Sequence, residues 1–307
     1  MRALLALLLS LAGPLQAAPS AEAWLARVAP ALRELDYQGT LVYVVPGRME
    51  TFRVYHRRDG ERERERLVAV SGPEREVIRD SGRVTFIGSD AAPIAFELGQ
   101  SGRWSPALAL SEAAGLRSYR ATLSGSSRIA GYAAQGVELL PRDGWRYGYR
   151  LWLERESGFP LRVDLLDEAG ATLEKIAFTD LQLGRRPSDA DLHPAAAAGR
   201  PMKAPVSSLE DAAPRWHVPA PPEGFALRAA RRWPGGEHLL YSDGLASVSV
   251  YLESADAGWN GASSIRRGAV NGRAYWVDGW RVLAIGKVPA ATVDHFARSV
   301  RPSRDDG

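Results

Sequence analysis

The 307-residue chain contains no cysteine. That single absence removes thiolate nucleophiles, thiolate metal sites, redox switches and disulfide staples, so buried side chains must hold the fold. Long apolar runs are also missing. Beyond the first twenty residues, charges interrupt every hydrophobic stretch, well short of the roughly 20 apolar residues a spanning helix requires. There is no nucleophile elbow, no P-loop and no glycine-rich dinucleotide fingerprint. The five histidines, at 56, 193, 217, 238 and 295, lack the paired spacing of zinc ligands. Asp189-Ala190-Asp191 has neither the glycine nor the distal glutamate of a calcium loop. Excess charge is scarce as well: 39 Lys and Arg against 36 Asp and Glu leave +3, with acids interleaved among bases. The clustered basic surface that nucleic acid demands is therefore absent. Paired carboxylates for acid–base work need no local spacing and stay open, but nothing specific suggests them. These gaps point away from catalysis, metals, cofactors and nucleic acid, and toward a binding protein.

What is present begins with an export signal. Arg2 supplies a positive start, Ala3 to Ala12 an apolar segment, Gly13-Pro14 a break, and Ala17-Ala18 small residues for cleavage. Residues 1–18 are read as a signal peptide, and no cysteine follows to take a lipid anchor. The mature chain is thus expected to be soluble in the periplasm.

Behind the signal, Ser20 caps an expected helix through Trp24, Leu25, Val28, Leu32 and Leu35, with a possible kink at Pro30. From Gly39 the period changes. Short runs rich in β-branched and aromatic residues, Thr40–Val45, Thr51–Arg57, Leu67–Val70, Glu76–Arg79 and Arg83–Ile87, alternate with turn signals such as Pro46-Gly47 and Asp59-Gly60. Strands Ser127–Ala133, Val137–Leu140, Trp145–Glu154, Leu161–Asp167 and Thr172–Leu183 continue the meander, with room for a helix or loop between Pro93 and Arg117. Pro, Ala, Ser and Asp dominate 184–224. Then come strands Ala226–Arg232, His238–Ser242, Ala246–Leu252, Ser264–Val270, Arg273–Val277 and Trp280–Gly286, and a helix Ala290–Val300. The expected class is α+β, mostly antiparallel β. A large β domain over 19–184 precedes a linker at 185–214 and a smaller sheet-and-helix domain over 215–303.

Two local features stand out. Glu61-Arg62-Glu63-Arg64-Glu65-Arg66 on a strand would place its acids on one face and its bases on the other. A solvated, ion-paired hairpin that discourages edge-to-edge aggregation accounts for it better than a recognition site. The aromatics Trp104, Tyr147, Tyr149 and Trp152 fit either a lipid-sized cavity or ordinary core packing, and the pattern does not choose between them.

Four stretches resemble one family. They are Leu35-Asp-Tyr-Gln-Gly-Thr-Leu-Val-Tyr43; Tyr147-Gly-Tyr-Arg-Leu-Trp-Leu153 with Gly158-Phe-Pro-Leu-Arg162 and Asp164-Leu-Leu166; Tyr241 through Tyr251; and Gly286-Lys-Val-Pro289 with Thr292-Val293 and Ser299-Val300. Together they resemble the periplasmic RseB/MucB regulators across nearly the whole mature chain. The resemblance implies a large domain like the LolA/LolB lipoprotein carriers, an unclosed β-barrel packed with helices. It also implies a negative regulator of a sigma-E-type (AlgU-type) envelope-stress factor. Such a regulator binds the periplasmic segment of a single-span anti-sigma factor (RseA/MucA-like), shields it from site-1 proteolysis, and is released by lipopolysaccharide or another lipid. Homo-oligomers are compatible with it. A periplasmic lipid or lipoprotein carrier of the Lol type is the alternative, and an exported hydrolase a distant third.

The residues expected to face an apolar cavity are Leu41, Tyr43, Tyr147, Tyr149, Leu151 and Val163. Those expected to meet a polypeptide are Tyr241, Tyr251, Tyr275, Trp276, Trp280 and Arg281, because aromatics and arginine dominate interfaces. No catalytic or metal-binding residue and no cofactor is expected.

Overall fold

The computed structural model describes residues 19–81, 83–88, 116–194, 201–202, 210–211, 213–254 and 263–303. The expected signal peptide, most of the Pro93–Arg117 interval, Trp104 and much of the linker lie outside these residues.

The first apolar stripe forms two short helices, α1 (Ala21–Leu25) and α2 (Val28–Glu34), where one kinked helix was expected. Ser20 caps α1 by accepting a hydrogen bond from the Ala23 amide. The break at Ala26-Arg27 puts Pro30 in the first turn of α2, where its missing N–H is no loss.

Eleven strands then build one sheet: β1 (Tyr37–Val45), β2 (Arg48–Asp59), β3 (Arg62–Ala69), β4 (Arg75–Asp80), β5 (Arg83–Gly88), β6 (Tyr119–Ile129), β7 (Tyr132–Pro141), β8 (Gly148–Glu154), β9 (Pro160–Leu166), β10 (Thr172–Leu183) and β11 (Pro201–Met202). Their spatial order is β11-β5-β4-β3-β2-β1-β10-β9-β8-β7-β6, so β1 joins β10 and the sheet does not close. The expected strand Ser127–Ala133 is in fact a hairpin: Ala130 and Gly131 both take positive φ and turn the chain between β6 and β7. One face of the sheet buries Leu41, Phe52, Val54, Leu151, Leu153, Val163 and Phe178 against Trp24, Leu25, Val28 and Leu32 of the two helices. Alternation named the apolar side of β8 correctly. It missed Glu154, which is buried and accepts hydrogen bonds from the Glu156 and Ser157 amides in the β8–β9 turn.

The Glu-Arg repeat lies in β3, inside the sheet between β2 and β4, so edge protection is not its role. Its arginines cross the outer face to carboxylates. Arg62 pairs with Asp80, Arg66 with Glu76, and Arg64 with both Asp59 and Asp189. Asp189 opens the short helix α3 (Asp189–Leu192), which is closed by a Ser188–Asp191 capping box. Arg57 also holds Asp189, at 2.5 Å, and the Pro187 carbonyl. The chain leaving β10 is thereby strapped across the back of β2 and β3.

The C-terminal sheet runs β12-β14-β15-β16-β19-β18-β17. Its strands are β12 (Glu210–Asp211), β14 (Ala226–Trp233), β15 (Gly236–Ser242), β16 (Ser247–Ser254), β17 (Ser263–Arg267), β18 (Val270–Val277) and β19 (Trp280–Gly286). A two-stranded ribbon, β13 (Trp216–His217) with β20 (Arg301–Pro302), flanks it. Helix α4 (Ala290–Ser299) packs Val293, Phe296 and Ala297 on Val248, Val250, Leu252, Val282 and Ala284. The expected strand Ser264–Val270 is again a hairpin, turning at Gly268-Ala269.

Candidate functional site

Strand register places the six expected cavity residues on one face. Leu41 pairs with Phe52, Tyr43 with Ile176, Ile176 with Val163, Val163 with Leu151, and Tyr149 with Leu165. Tyr147 precedes β8 in the same alternation. All six are buried in the single cluster that also holds Trp24, Leu25, Val28 and Leu32 of α1 and α2. Burial pushes the Tyr149 phenol well above its ordinary value and raises Tyr147, which also feels Glu168. The cover over this face is anchored at its break. Arg27 donates to the backbone carbonyls of Arg155 and Glu156, and its guanidinium stacks on Trp24 at 4.5 Å.

The six expected partner-binding residues divide between two faces of the C-terminal sheet. Tyr241, Tyr275 and Trp280 lie on the α4 face; Tyr251, Trp276 and Arg281 lie on the other. Tyr241 belongs to the core, its hydroxyl accepting a 2.9 Å hydrogen bond from the Val218 amide. The Tyr275 hydroxyl donates to Asp294 and accepts from Arg298, whose guanidinium lies 4.4 Å above its ring. Trp280 meets Trp216 edge-on. On the opposite face Tyr251 stacks on His238, Trp276 is exposed, and Arg281 pairs with Glu253. The β18–β19 hairpin brings Trp276 and Arg281 directly opposite each other. Tyr241 stands apart from that pair.

Between the sheets sits a junction that sequence reasoning did not single out. Arg146, just ahead of β8, is fully buried, and so is Asp243 in the β15–β16 turn. Arg146 Nη1 donates to Asp243 Oδ2 at 2.6 Å, Nη2 donates to the Glu223 carbonyl at 2.6 Å, and Nε reaches Asp143 at 3.2 Å. Tyr119 and Phe225 lie over the guanidinium at 5.9 and 4.9 Å. Burial raises the Asp243 carboxyl above its ordinary value, against the amides of Leu245 and Ala246 and the charge of Arg146, which pull it down. Around this pair Asn271 donates to the Tyr147 hydroxyl, Thr292 to the Trp145 carbonyl, and Lys287 to Glu174. The contact is polar, and it ties the two sheets together in one arrangement. The sequence signal, one arginine among many, carried nothing to mark it.

The two apolar cores meet at this charged junction. Comparison with known proteins agrees with that division. A family model described as the MucB/RseB N-terminal domain matches residues 20–196, and one described as the MucB/RseB C-terminal domain matches 210–301. The chain is 34% identical to the sigma factor AlgU regulatory protein MucB of Pseudomonas aeruginosa, over 96% of each chain. It is 27% identical to the sigma-E factor regulatory protein RseB of Escherichia coli K12, over 93% of this chain and 92% of that one. Among solved structures, a complex of P. aeruginosa MucA/MucB superposes with a TM-score of 0.77 at 31% identity, covering 92% of this chain and 99% of that one. No helix among the described residues is long and apolar enough to cross a membrane.

Proposed function

The chain belongs to the MucB/RseB family, and from that premise we propose that it is a periplasmic, non-catalytic regulator of a sigma-E-type factor, acting by holding the periplasmic segment of a membrane-spanning anti-sigma factor. The observation that carries this reading is the likeness of both units, in one arrangement, to MucB as it stands in complex with MucA. Holding that segment would shield it from the first cutting protease and keep the sigma factor sequestered.

Release by lipid follows as the second half of the proposal. Leu41, Tyr43, Tyr147, Tyr149, Leu151 and Val163 form the face assigned to acyl chains. They are buried in the same apolar cluster as α1 and α2, so an acyl chain reaches them only by displacing part of that packing. Each methylene then buried is worth about 0.8 kcal/mol, which a few methylenes turn into enough to displace a short helical cover. Lipid weakens partner binding only if it prefers an arrangement the partner does not. The junction at Arg146 and Asp243, three residues from Tyr149, is where such a preference would be felt. Tyr251, Tyr275, Trp276, Trp280 and Arg281 are assigned to the polypeptide; Tyr241, buried in the core, is not.

The test is retention of a single-span anti-sigma factor from solubilised membranes by the immobilised mature protein, with and without lipopolysaccharide. Retention that lipopolysaccharide reduces supports both halves. Retention unaffected by saturating lipopolysaccharide overturns the release step, and recovery of lipoproteins alone overturns the regulator in favour of a carrier.

A further inference from the structure

An unpaired strand edge is a template for another strand, and proteins blunt such edges by shortness, bulges or proline. Among the described residues the two sheets end on four edges. β11 and β12 are two residues each. β6 is long, but its register with β7 breaks between Ser124 and Ser126, where Gly125 takes a φ of 45°. β17 is the exception: five residues, no proline, and unbroken register with β18 from Ser263 opposite Ala274 to Arg267 opposite Val270. All five of its residues are exposed, including Ile265.

Its turn tells which backbone groups are free. Gly268 has a φ of 59° and Ala269 does not take positive φ, the pattern of a II′ two-residue hairpin. The flanking pair Arg267–Val270 is then hydrogen-bonded, as are Ile265–Gly272 and Ser263–Ala274 by alternation. The N–H and C=O groups of Ser264 and Arg266 therefore point away from the sheet.

Beneath this edge α4 stops short of β17 and leaves a groove of about 440 Å³. Small residues shape it: Gly272 in the floor, and Ala290, Ala291 and Val293 on the helix flank. Its charge is one-sided. Arg266, Arg273 and Arg298 line it against the single carboxylate of Asp294, which Arg273 and Arg298 already share. Among the described residues no carboxylate pairs with Arg266. The first turn of α4, which has no side-chain cap, also opens here, and a helix N-terminus favours negative charge. At the base of the groove Asn271 bonds the Tyr147 hydroxyl of the other sheet at 3.0 Å, so an occupant would sit one residue from the junction.

We propose that the edge of β17, unpaired among the described residues, is the docking site for an extended acidic segment of the partner anti-sigma factor, which joins the sheet as an eighth strand with its acidic side chains toward Arg266 and Arg298. This rests on the regulatory reading above. Main-chain hydrogen bonds to Ser264 and Arg266 supply affinity, and the arginines select acidic over basic segments.

The probe is the fluorescently labelled periplasmic segment of the anti-sigma factor from the same organism, titrated with the full mature protein. Ser264→Pro removes an outward N–H without touching a β17–β18 hydrogen bond; Arg266→Glu reverses the charge. Each is expected to weaken binding about tenfold, the factor carried by one good hydrogen bond or charge contact. In the wild type, the amides of Ser264 and Arg266 are expected to gain protection from hydrogen exchange when the segment binds, a measurement that needs no variant to fold. Wild-type affinity in both folded variants, or no gain in protection, overturns the β17 site and leaves the regulatory reading standing. Failure of the segment to bind the wild type overturns both.

Discussion

Replacing Arg146 by Met removes a fully buried guanidinium while keeping a side chain of similar length. The structure shows what is left behind. Asp243 loses its 2.6 Å ionic partner and keeps only the amides of Leu245 and Ala246, and the Glu223 carbonyl loses its donor. Removing one member of a buried pair leaves an uncompensated charge in a poor solvent, and such losses run to about 3–5 kcal/mol. Part of the loss is recoverable in two ways that distinguish an electrostatic origin from a packing one. Adding Asp243→Asn removes the stranded charge, so Arg146→Met/Asp243→Asn should be more stable than Arg146→Met alone by about 1–2 kcal/mol. Lowering the pH should also help the single variant. The folded Asp243 carboxyl already lies above its ordinary value, and losing Arg146 raises it further. The folded state then binds more protons than the unfolded state above pH ~3.8, and stability falls as pH rises through that window. Urea unfolding followed by tryptophan fluorescence, at pH 5 and pH 7, measures all three quantities. An Arg146→Met variant within about 1 kcal/mol of wild type at pH 7 would sink the reasoning, as would a second substitution that recovers nothing.

Three further outcomes are expected. Gly224→Ala meets both a φ of 86° and a Cβ position 2.6 Å from Ser118 Oγ; it should cost about 1–3 kcal/mol, and a neutral Ala variant in thermal melts contradicts that packing. Burial, with Arg231 nearby, lowers the His238 pKa to about 4. The unfolded state thus takes the proton first, and stability present above pH ~6.5 is lost toward pH 4, by about 3 kcal/mol at most; His238→Phe, which preserves the stack on Tyr251, should flatten the urea midpoint over pH 5–7, and an unchanged slope refutes it. Burial pushes the Asp59 carboxyl up, but hydrogen bonds from Arg57 and Arg186 outweigh it and hold it below its ordinary value, while the Ser188 hydroxyl and amide lower Asp191. Their contribution to docking the 186–191 strap is present above pH ~3.8 and fades as pH falls through the lowered values. Arg64→Gln, which frees one hold on Asp189, should speed tryptic cleavage at Arg185 and Arg186 at neutral pH, and equal cleavage rates would show that the strap is held otherwise.

These expectations share one physical theme. Each sheet has its own apolar core, but charge and hydrogen bonding set how the pieces lie against one another: the strap on β2–β3, the cover at Arg27, and the junction at Arg146. The hydrogen bond from Asn271 to the Tyr147 hydroxyl belongs to the same set, tying one sheet directly to the other.

Alternation alone was enough to identify most strands, the apolar side of β8, and the stripe of α4, because burial on one face leaves a period in the chain. Turn chemistry marked the hairpins at Pro46-Gly47 and Asp59-Gly60, since those pairs tolerate the required backbone angles. The family likeness was also legible, as several short stretches kept in order. Other features depended on contacts between residues far apart. Ser127–Ala133 and Ser264–Val270 look like unbroken strands until pairing shows each to be a hairpin. The Glu-Arg repeat looks like a solvated edge until β4 is laid beside it and Asp189 arrives from 125 residues away. Tyr241 and Trp276 have the same aromatic signature, yet one is core and the other surface, because sheet register and the position of α4 decide which side each side chain takes. Arg146 is the clearest case: its partner is 97 residues distant, so no local pattern could single it out among the chain's arginines. What the lack of cysteine excluded at the start, disulfides and thiolate chemistry, was determined by the sequence by itself. Where its scattered charges meet, and so what they hold together, was decided only by the tertiary structure, because electrostatic partners are chosen by proximity in space and leave no period along the chain.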